Sequence, residues 1–190
     1  MSIVIATKVD NKVVMMADSA ETLGEKVTTL TEPERMKVLV IGDVLVGSAG
    51  RVKNIRRLAE HPEWFDTKQK EFNKEFIVTK IIPKLFQELE KHEFLDTDDD
   101  FPKNEASVIM SCGNRIFYMQ PDFSVHEINK FVAVGCTKRL IHSTLSNIQN
   151  GKENEAMLAA MRLSSELSPG VRPPYYVIDT ERKEYKKIEE

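Results

Sequence analysis

Cysteine and long apolar runs are scarce in this chain, which excludes several classes of protein. Among its 190 residues are two cysteines, Cys112 and Cys136, which do not form a C-x-x-C pair. Two cysteines are too few for the disulfide framework of a secreted domain. The longest apolar stretch, residues 38–46, is interrupted by Gly42 and Asp43, well short of the roughly 20 apolar residues of a membrane span. The amino terminus also lacks the basic segment of a signal peptide, so we expect a cytoplasmic protein.

An excess of charge of one sign is also missing. The 27 basic and 30 acidic residues give a net charge of −3, which provides no general attraction to nucleic acid or to an acidic membrane surface. A small basic cluster at residues 51–57 has no aromatic residues between its charges, and this favours a solvated helix face. We therefore expect neither nucleic acid nor a membrane among the partners.

Motifs of cofactor and metal sites are absent from the sequence as well. It contains no phosphate-binding loop, no dinucleotide fingerprint, no H-E-x-x-H and no G-x-S-x-G, and its four histidines are scattered. Asp96, Asp98 and Asp100 resemble the start of a calcium loop. However, Phe101 stands where that loop needs glycine, and Ser107 where it needs glutamate. We therefore expect a solvated acidic loop there, and neither a metal nor a cofactor.

What the sequence does contain is an ordered succession of strand and helix patterns. β-branched runs separated by turn residues predict hairpins, and apolar residues at helical spacing predict helices. The hairpins centre on residues 10–11, 42–43 and 113–114, with a last one formed by YYVIDT and the charged tail. The helices span residues 51–60, 72–95, 137–150 and 154–167, and Pro83 bends or divides the second.

This order of elements predicts a fold. Strands, two helices, strands, two helices and strands suit a pair of sheets with helices on both outer faces. The regular strand–helix alternation of a doubly wound fold is not present. We predict one α+β domain over residues 1–190, a four-layer αββα sandwich with antiparallel sheets.

The amino terminus offers the clearest chemistry. Ser2 begins the first predicted strand, and a small second residue usually permits removal of Met1. Removal would leave Ser2 with a free α-amine, whose pKa of about 7.7–8.0 leaves part of it neutral at physiological pH. That amine can take the proton of its own hydroxyl and activate it as a nucleophile. Such a serine also needs a nearby cation and a backbone N–H for the oxyanion, for which the sequence offers Lys37 and Gly47.

The same residues resemble the start of proteasome β subunits and of the bacterial HslV peptidase, which are N-terminal nucleophile (Ntn) hydrolases. In the stretch MSIVIATKVDNKVVMMADSAETLG, Asp18 is followed four residues later by Thr22 and then by Leu-Gly. Lys37-Val38 is similar to the family's K-[VI] strand start, and residues 47–49, Gly-Ser-Ala, to its G-x-A motif. The stretch ASVIMSCGNRIFYMQPDFSVHEINKFVAVG resembles the family's second sheet.

The resemblance implies a catalytic set. Ser2 would take the place of the family's threonine nucleophile, and Lys37 would be the catalytic lysine, fixed by Asp18. Gly47 would donate the oxyanion N–H. A simple ion pair between Asp18 and Lys37 remains the alternative reading of these two residues.

The resemblance also implies supporting residues. Thr22 would bind the extended substrate backbone as an added strand, and Ala49 would line the specificity pocket. Ser168 would be the serine of the family's D-x-x-S-G-like stretch, although Ser165 or Glu166 stands where aspartate is expected.

Two further departures concern the nucleophile and its surroundings. Serine lacks the methyl group that restricts the rotamers of threonine. After FVAVG the family usually has Ser-Gly-Gly, whereas Cys136, Thr137 and Lys138 follow here. Cys136 could be a thiol nucleophile at a helix start, but without a histidine partner a buried structural cysteine is favoured.

The function implied is that of a serine-type member of the threonine protease family, a peptidase or amidohydrolase acting on peptides or unfolded protein. By resemblance it would work as a homo-oligomeric ring, and any ATP-dependent unfoldase would be a separate partner because the chain has no ATPase motif. The alternative is a non-catalytic proteasome-like scaffold or assembly protein that retains Met1.

Overall fold

Two five-stranded antiparallel sheets lie at the centre of the molecule. The computed structural model describes residues 2–23, 26–32, 36–96, 102–147, 149 and 151–189. The first sheet contains, in spatial order, β12 (Phe131–Gly135), β1 (Ile3–Val9), β2 (Lys12–Ala17), β13 (Tyr175–Asp179) and β14 (Lys186–Ile188). The second contains β11 (Val125–Ile128), β10 (Arg115–Met119), β9 (Ala106–Cys112), β6 (Val44–Gly50) and β5 (Val38–Ile41). Two short hairpins are separate, β3 (Ala20–Leu23) with β4 (Lys26–Thr29) and β7 (Leu95–Asp96) with β8 (Lys103–Asn104).

Helices cover the outer faces of both sheets. On the second sheet lie α1 (Val52–Glu60), a 3₁₀ turn (Pro62–Phe65), α2 (Lys74–Phe76), a π-helical segment (Ile77–Ile81) and α3 (Ile82–Lys91). On the first sheet lie α4 (Lys138–Leu145) and α5 (Glu153–Leu167). This arrangement confirms the predicted four-layer sandwich. None of the described helices is long and apolar enough to cross a bilayer.

Strand β1 shows why the apolar runs of the sequence are continuous. Ile3 and Ile5 pack under the helices of the first sheet, whereas Val4 and Ala6 pack between the two sheets. Successive side chains of a strand point to opposite faces, so a strand covered on both faces must be apolar at every position. Buried packing on both faces of the first sheet therefore begins immediately after Ser2, with Ile3 under the helices and Val4 between the sheets.

The predicted helix over residues 72–95 is divided by a π-helical segment. Pro83 lacks an N–H, and in a regular α-helix its ring clashes with the carbonyl of Thr79. The chain widens to π geometry over Ile77–Ile81 and then continues as α3. Pro83 therefore produces a local change of helix geometry inside a longer helical run, and the run ends at Lys91.

Neither short hairpin was predicted from the sequence, and Leu95, the first residue of β7, was expected at the end of a helix. In β3 and β4, Ala20 pairs with Thr29 and Thr22 with Val27. Met1, Gly24 and residues 97–101, which carry most of the acidic calcium-like loop, are outside the described residues.

Candidate active site

A buried ion pair joins the two sheets at the end of the sandwich that holds the start of the chain. Asp18 directly follows β2 of the first sheet, and Lys37 directly precedes β5 of the second. Lys37 Nζ lies 2.6 Å from Asp18 Oδ1, and the two side chains are only 4% and 0% exposed. Removing both charges from water is costly unless further hydrogen bonds satisfy them.

Asp18 obtains those hydrogen bonds from the backbone near the chain start. Its Oδ1 also accepts the Ile3 N–H at 2.8 Å, and its Oδ2 accepts the Ala20 N–H at 2.9 Å. One carboxylate oxygen therefore contacts both the Lys37 ammonium and the peptide nitrogen next to Ser2. The backbone N–H that follows Ser2 and the predicted catalytic lysine thus bind the same carboxylate oxygen.

A glycine contact fixes the backbone of Ser2. The Ser2 carbonyl accepts the Cys136 N–H at 3.0 Å, and Ile3 pairs with Gly135 of β12. A Cβ at Gly135 would lie 1.9 Å from the Ser2 oxygen, and its φ is +120°. Only glycine allows this approach, so the chain start is held at the end of the first sheet, with Ser2 itself half-buried.

Burial dominates the electrostatics of the pair. It lowers the pKa of Lys37, an effect opposed by the adjacent Asp18 and, more weakly, by Cys136 and Glu21. Burial likewise raises the pKa of Asp18, opposed by Lys37 and by the two backbone donors. Lys37 can therefore lose its proton more readily than an exposed lysine, and pKa shifts of this kind are common among the charged groups of functional sites.

The glycine of the G-x-A motif has a packing role. A Cβ at Gly47 would lie 2.8 Å from Val4 Cγ1 and 3.4 Å from Met15 Sδ, both in the opposite sheet. The close packing of the two sheets at this point therefore requires that residue 47 has no side chain. Ala49, two residues on, is buried in the same core between the sheets.

The strand register shows where the N–H of Gly47 points. Arg51 donates its N–H to Glu105 O at 3.2 Å, on the side of β9. Gly47 lies four residues earlier in an unbroken register and faces Ile109 of β9. Backbone N–H groups two residues apart in a strand point to the same side, so the N–H of Gly47 faces β9 and does not face Lys37.

The N–H groups of Ser48 and Gly50 point to the opposite side. Ser48 donates to Lys37 O at 3.0 Å. Because β5 begins only at Val38, the N–H of Gly50 is directed past the end of that strand, on the Lys37 side. Gly50 also has a φ of +122°, a conformation that favours glycine. The sequence analysis did not name Gly50 as a candidate site residue. It could have been noticed as a glycine at the junction of a predicted strand and a predicted helix.

No family model matches the chain, and no curated protein matches it. Several solved structures, however, match the chain over most of its length. Thiobacillus denitrificans BPH matches with a TM-score of 0.77 at 17% identity, over 93% of this chain and 96% of that one. Anbu (ancestral beta-subunit) from Yersinia bercovieri matches with 0.71 at 13% identity, over 99% and 87%. HslV from Trypanosoma brucei matches with 0.64 at 18% identity, over 93% and 98%.

This chain has a proteasome-like Ntn-hydrolase fold. The predicted resemblance is therefore confirmed at the level of the fold.

Within this fold, Thr22 lies on the outer side of the β3–β4 hairpin. Leu30 donates its N–H to Ser19 O at 2.7 Å, so the backbone groups of Ser19 face β4. By alternation, the N–H and C=O of Thr22, three residues on, point away from β4. This orientation is the one that an added substrate strand requires.

Ser168 lies beside Cys136, the residue whose N–H binds the Ser2 carbonyl. Their Oγ and Sγ atoms are 3.8 Å apart, and Ser168 is 9% exposed. Cys136 itself is exposed, which corrects the expectation of a buried structural cysteine. The buried cysteine is Cys112, where burial raises the pKa of the thiol.

Among the described residues, neither candidate for the acidic position of the D-x-x-S-G-like stretch, Ser165 or Glu166, forms a hydrogen bond with Ser2 or Ser168. Ser165 Oγ donates to Arg162 O at 2.9 Å within α5. Glu166 is exposed on the same helix. In the part of the chain that the structure describes, no group of three or more histidine, cysteine or acidic side chains could hold a metal ion.

Proposed function

We propose that this chain is a proteasome-like peptidase or amidohydrolase subunit in which Ser2, exposed by removal of Met1, is the nucleophile. One observation carries the proposal: a single Asp18 oxygen contacts both the Ile3 N–H and the Lys37 ammonium. A free α-amine on Ser2 would belong to the residue next to that contact. The simple ion-pair reading does not explain why the chain start is held there.

The reaction follows from these groups. The neutral α-amine of Ser2 accepts the hydroxyl proton while Oγ attacks the carbonyl carbon of an amide. The Lys37 ammonium stabilises Ser2 Oγ as it becomes anionic. A backbone N–H binds the oxyanion that the substrate's carbonyl oxygen becomes in the tetrahedral intermediate. The protonated amine then gives its proton to the leaving nitrogen. Water, deprotonated by the same amine, hydrolyses the ester and regenerates Ser2.

We assign the oxyanion N–H to Gly50 in place of Gly47, because the amide of Gly50 points to the Lys37 side of β6. Thr22 would align an extended peptide along β3. In this proposal Ala49 would lie beneath the specificity pocket, and Ser168, whose Oγ is 3.8 Å from Cys136 Sγ, would support the site from the side of Cys136.

The assembly in this proposal is a homo-oligomeric cytoplasmic ring that degrades peptides or unfolded protein. An ATP-dependent unfoldase would be a separate chain.

The proposal is tested by intact mass and by hydrolysis of a fluorogenic peptide library. We expect loss of one methionine from the purified chain. Ser2→Ala should reduce kcat by at least about 10³-fold, because the attacking oxygen is removed. Lys37→Met should be similarly inactive, whereas the control Lys12→Met should be active, since Lys12 pairs with Asp179 on the surface. Retained Met1, or equal turnover by wild type and Ser2→Ala, contradicts the proposal.

The second candidate, a non-catalytic scaffold or assembly protein, is favoured by the stretch around Ser168. Glu166 is exposed and Ser165 bonds within its own helix, so neither supports the α-amine as an aspartate would. This candidate predicts a full-length mass with Met1 and no hydrolysis of any peptide in the library.

A further inference from the structure

The strand that begins after Lys37 lies at the edge of its sheet. β5 pairs with β6 on one side and is the last strand of the second sheet. The Lys37 carbonyl accepts the Ser48 N–H at 3.0 Å, so it faces β6. By alternation, the next carbonyl, that of Val38, faces the outer edge, where a carbonyl has no neighbouring strand to satisfy it.

A tyrosine from the carboxyl-terminal hairpin binds this outward carbonyl. Tyr185 Oη donates to Val38 O at 2.6 Å, and the ring packs against the core between the sheets. Burial raises the pKa of Tyr185 to about 12. The phenol therefore remains a protonated donor over the whole pH range in which a peptidase would work.

The connection that carries Tyr185 is itself tied to the opposite sheet. Thr180 Oγ1 donates to Gly113 O at 2.6 Å, which lies in the turn between β9 and β10. Lys183 forms an ion pair with Asp43, in the turn between β5 and β6. Residues 180–185 thus leave the first sheet, contact the second at three places, and reach the edge of β5 next to Lys37.

We propose that Tyr185 is a positioning residue for Lys37. The peptide groups of Lys37 and Val38 are held from opposite sides, one by Ser48 within the sheet and the other by Tyr185 at its edge. An edge strand fixed on both sides keeps the lysine stem aligned with the Asp18 carboxylate. This role rests on the proposed function, because it matters for catalysis only if Lys37 is the catalytic lysine.

The test compares Tyr185→Phe with Tyr175→Phe. Each substitution removes one hydroxyl and keeps the ring. Tyr175 Oη also donates to a backbone carbonyl, that of Met161 at 3.4 Å, but in the cluster under α4 and α5. In Tyr185→Phe we expect faster amide hydrogen exchange in residues 38–41. The pKa of Lys37, followed by NMR of ¹³C-labelled lysine, should rise towards the ordinary value of 10.5. We expect kcat to fall about tenfold with KM unchanged.

The three readouts separate the possible failures. Unchanged Lys37 titration and unchanged exchange at residues 38–41 in Tyr185→Phe overturn the positioning role. Equal changes in Tyr185→Phe and Tyr175→Phe also overturn it, because they indicate general loosening of the fold. If the wild type hydrolyses nothing, the proposed function fails, but a selective effect of Tyr185→Phe on Lys37 still supports the positioning of Lys37.

Discussion

At the scale of single residues, the pair of Asp18 and Lys37 has the strongest physical consequences. A buried ion pair is weak grounds for stability, since the cost of desolvation offsets the attraction between the charges. Here the carboxylate also binds two backbone N–H groups. The pair is therefore better explained by the alignment of a charge beside Ser2 than by stabilisation of the fold.

The proposed chemistry predicts a bell-shaped dependence of kcat/KM on pH. The Ser2 amine must be neutral to accept a proton, so activity should rise as pH passes through its pKa, about 7.7–8.0 for a free α-amine. Lys37 must be charged to stabilise Ser2 Oγ as it becomes anionic, so activity should fall as Lys37 deprotonates. Because burial lowers the pKa of Lys37 below 10.5, the basic limb should begin below that pH. Rates measured from pH 6 to 11 check this, and a profile without an acidic limb would falsify the amine as base.

The proposed catalytic residues were easier to propose from the sequence than the residues around them. Ser2, Asp18 and Lys37 could be recognised because they flank strongly patterned strands whose order is preserved. The direction of the N–H groups of Gly47 and Gly50 could not, because it depends on which neighbouring strand each N–H faces. That pairing is long-range and leaves no mark on the local sequence.

At the scale of elements, the pairing of β1 with β12 places the chain start. Ile3 pairs with Gly135, and the Cys136 N–H continues the contact to the Ser2 carbonyl. The last strand residue before α4 thus determines where a free α-amine on Ser2 would lie. Glycine at this position allows β12 to touch the residue before β1.

Replacement of Gly135 by alanine should therefore impair both stability and activity. The new Cβ would lie 1.9 Å from Ser2 O at a φ of +120°. We expect a loss of about 2–4 kcal/mol in the free energy of unfolding and at least about 10²-fold in kcat. The control is Gly151→Ala, which has a φ of +87° and no atom within 4 Å of its Cβ. It should lose about 1 kcal/mol and remain active. Denaturant unfolding and peptide hydrolysis measure both effects, and similar losses in the two variants contradict the positional argument.

Strands and helices with a strong pattern of apolar residues were predicted from the sequence, and those with a weak apolar pattern were not. The buried strands β1 and β2 are apolar on both faces, which leaves a clear signal. The hairpin of β3 and β4 is partly exposed and polar, and it was not among the predicted hairpins. The position of Pro83 predicted a disturbance of its helix, but not that a π-helical turn would absorb it.

At the scale of the whole molecule, the layers are joined at both ends of the sandwich. The Asp18–Lys37 pair connects the sheets near Ser2. The Thr180–Gly113 bond and the Lys183–Asp43 pair connect them at the turns on the opposite side. These contacts join the two sheets to each other, whereas the helices form the outer faces of the sandwich.

The outer face of α5 is where we expect one subunit contact of the proposed ring. Leu163 and Leu167 are 37% and 66% exposed, and residues four apart lie on the same side of a helix. The two exposed leucines share one helix face and could form part of an apolar contact, whereas a single exposed apolar residue such as Val78 is ordinary.

Leu167→Glu should consequently weaken assembly, because the contact would have to bury an unpaired carboxylate. The wild type should elute in light-scattering chromatography as a multiple of 21.7 kDa. Leu167→Glu should move the mass towards the monomer, with a dissociation constant at least about tenfold higher, equivalent to about 1.4 kcal/mol. Val78→Glu, on the helical layer of the other sheet and 41% exposed, should assemble like the wild type. A mass that depends on Val78 and not on Leu167 would place the contact on the opposite layer and contradict the assignment to α5.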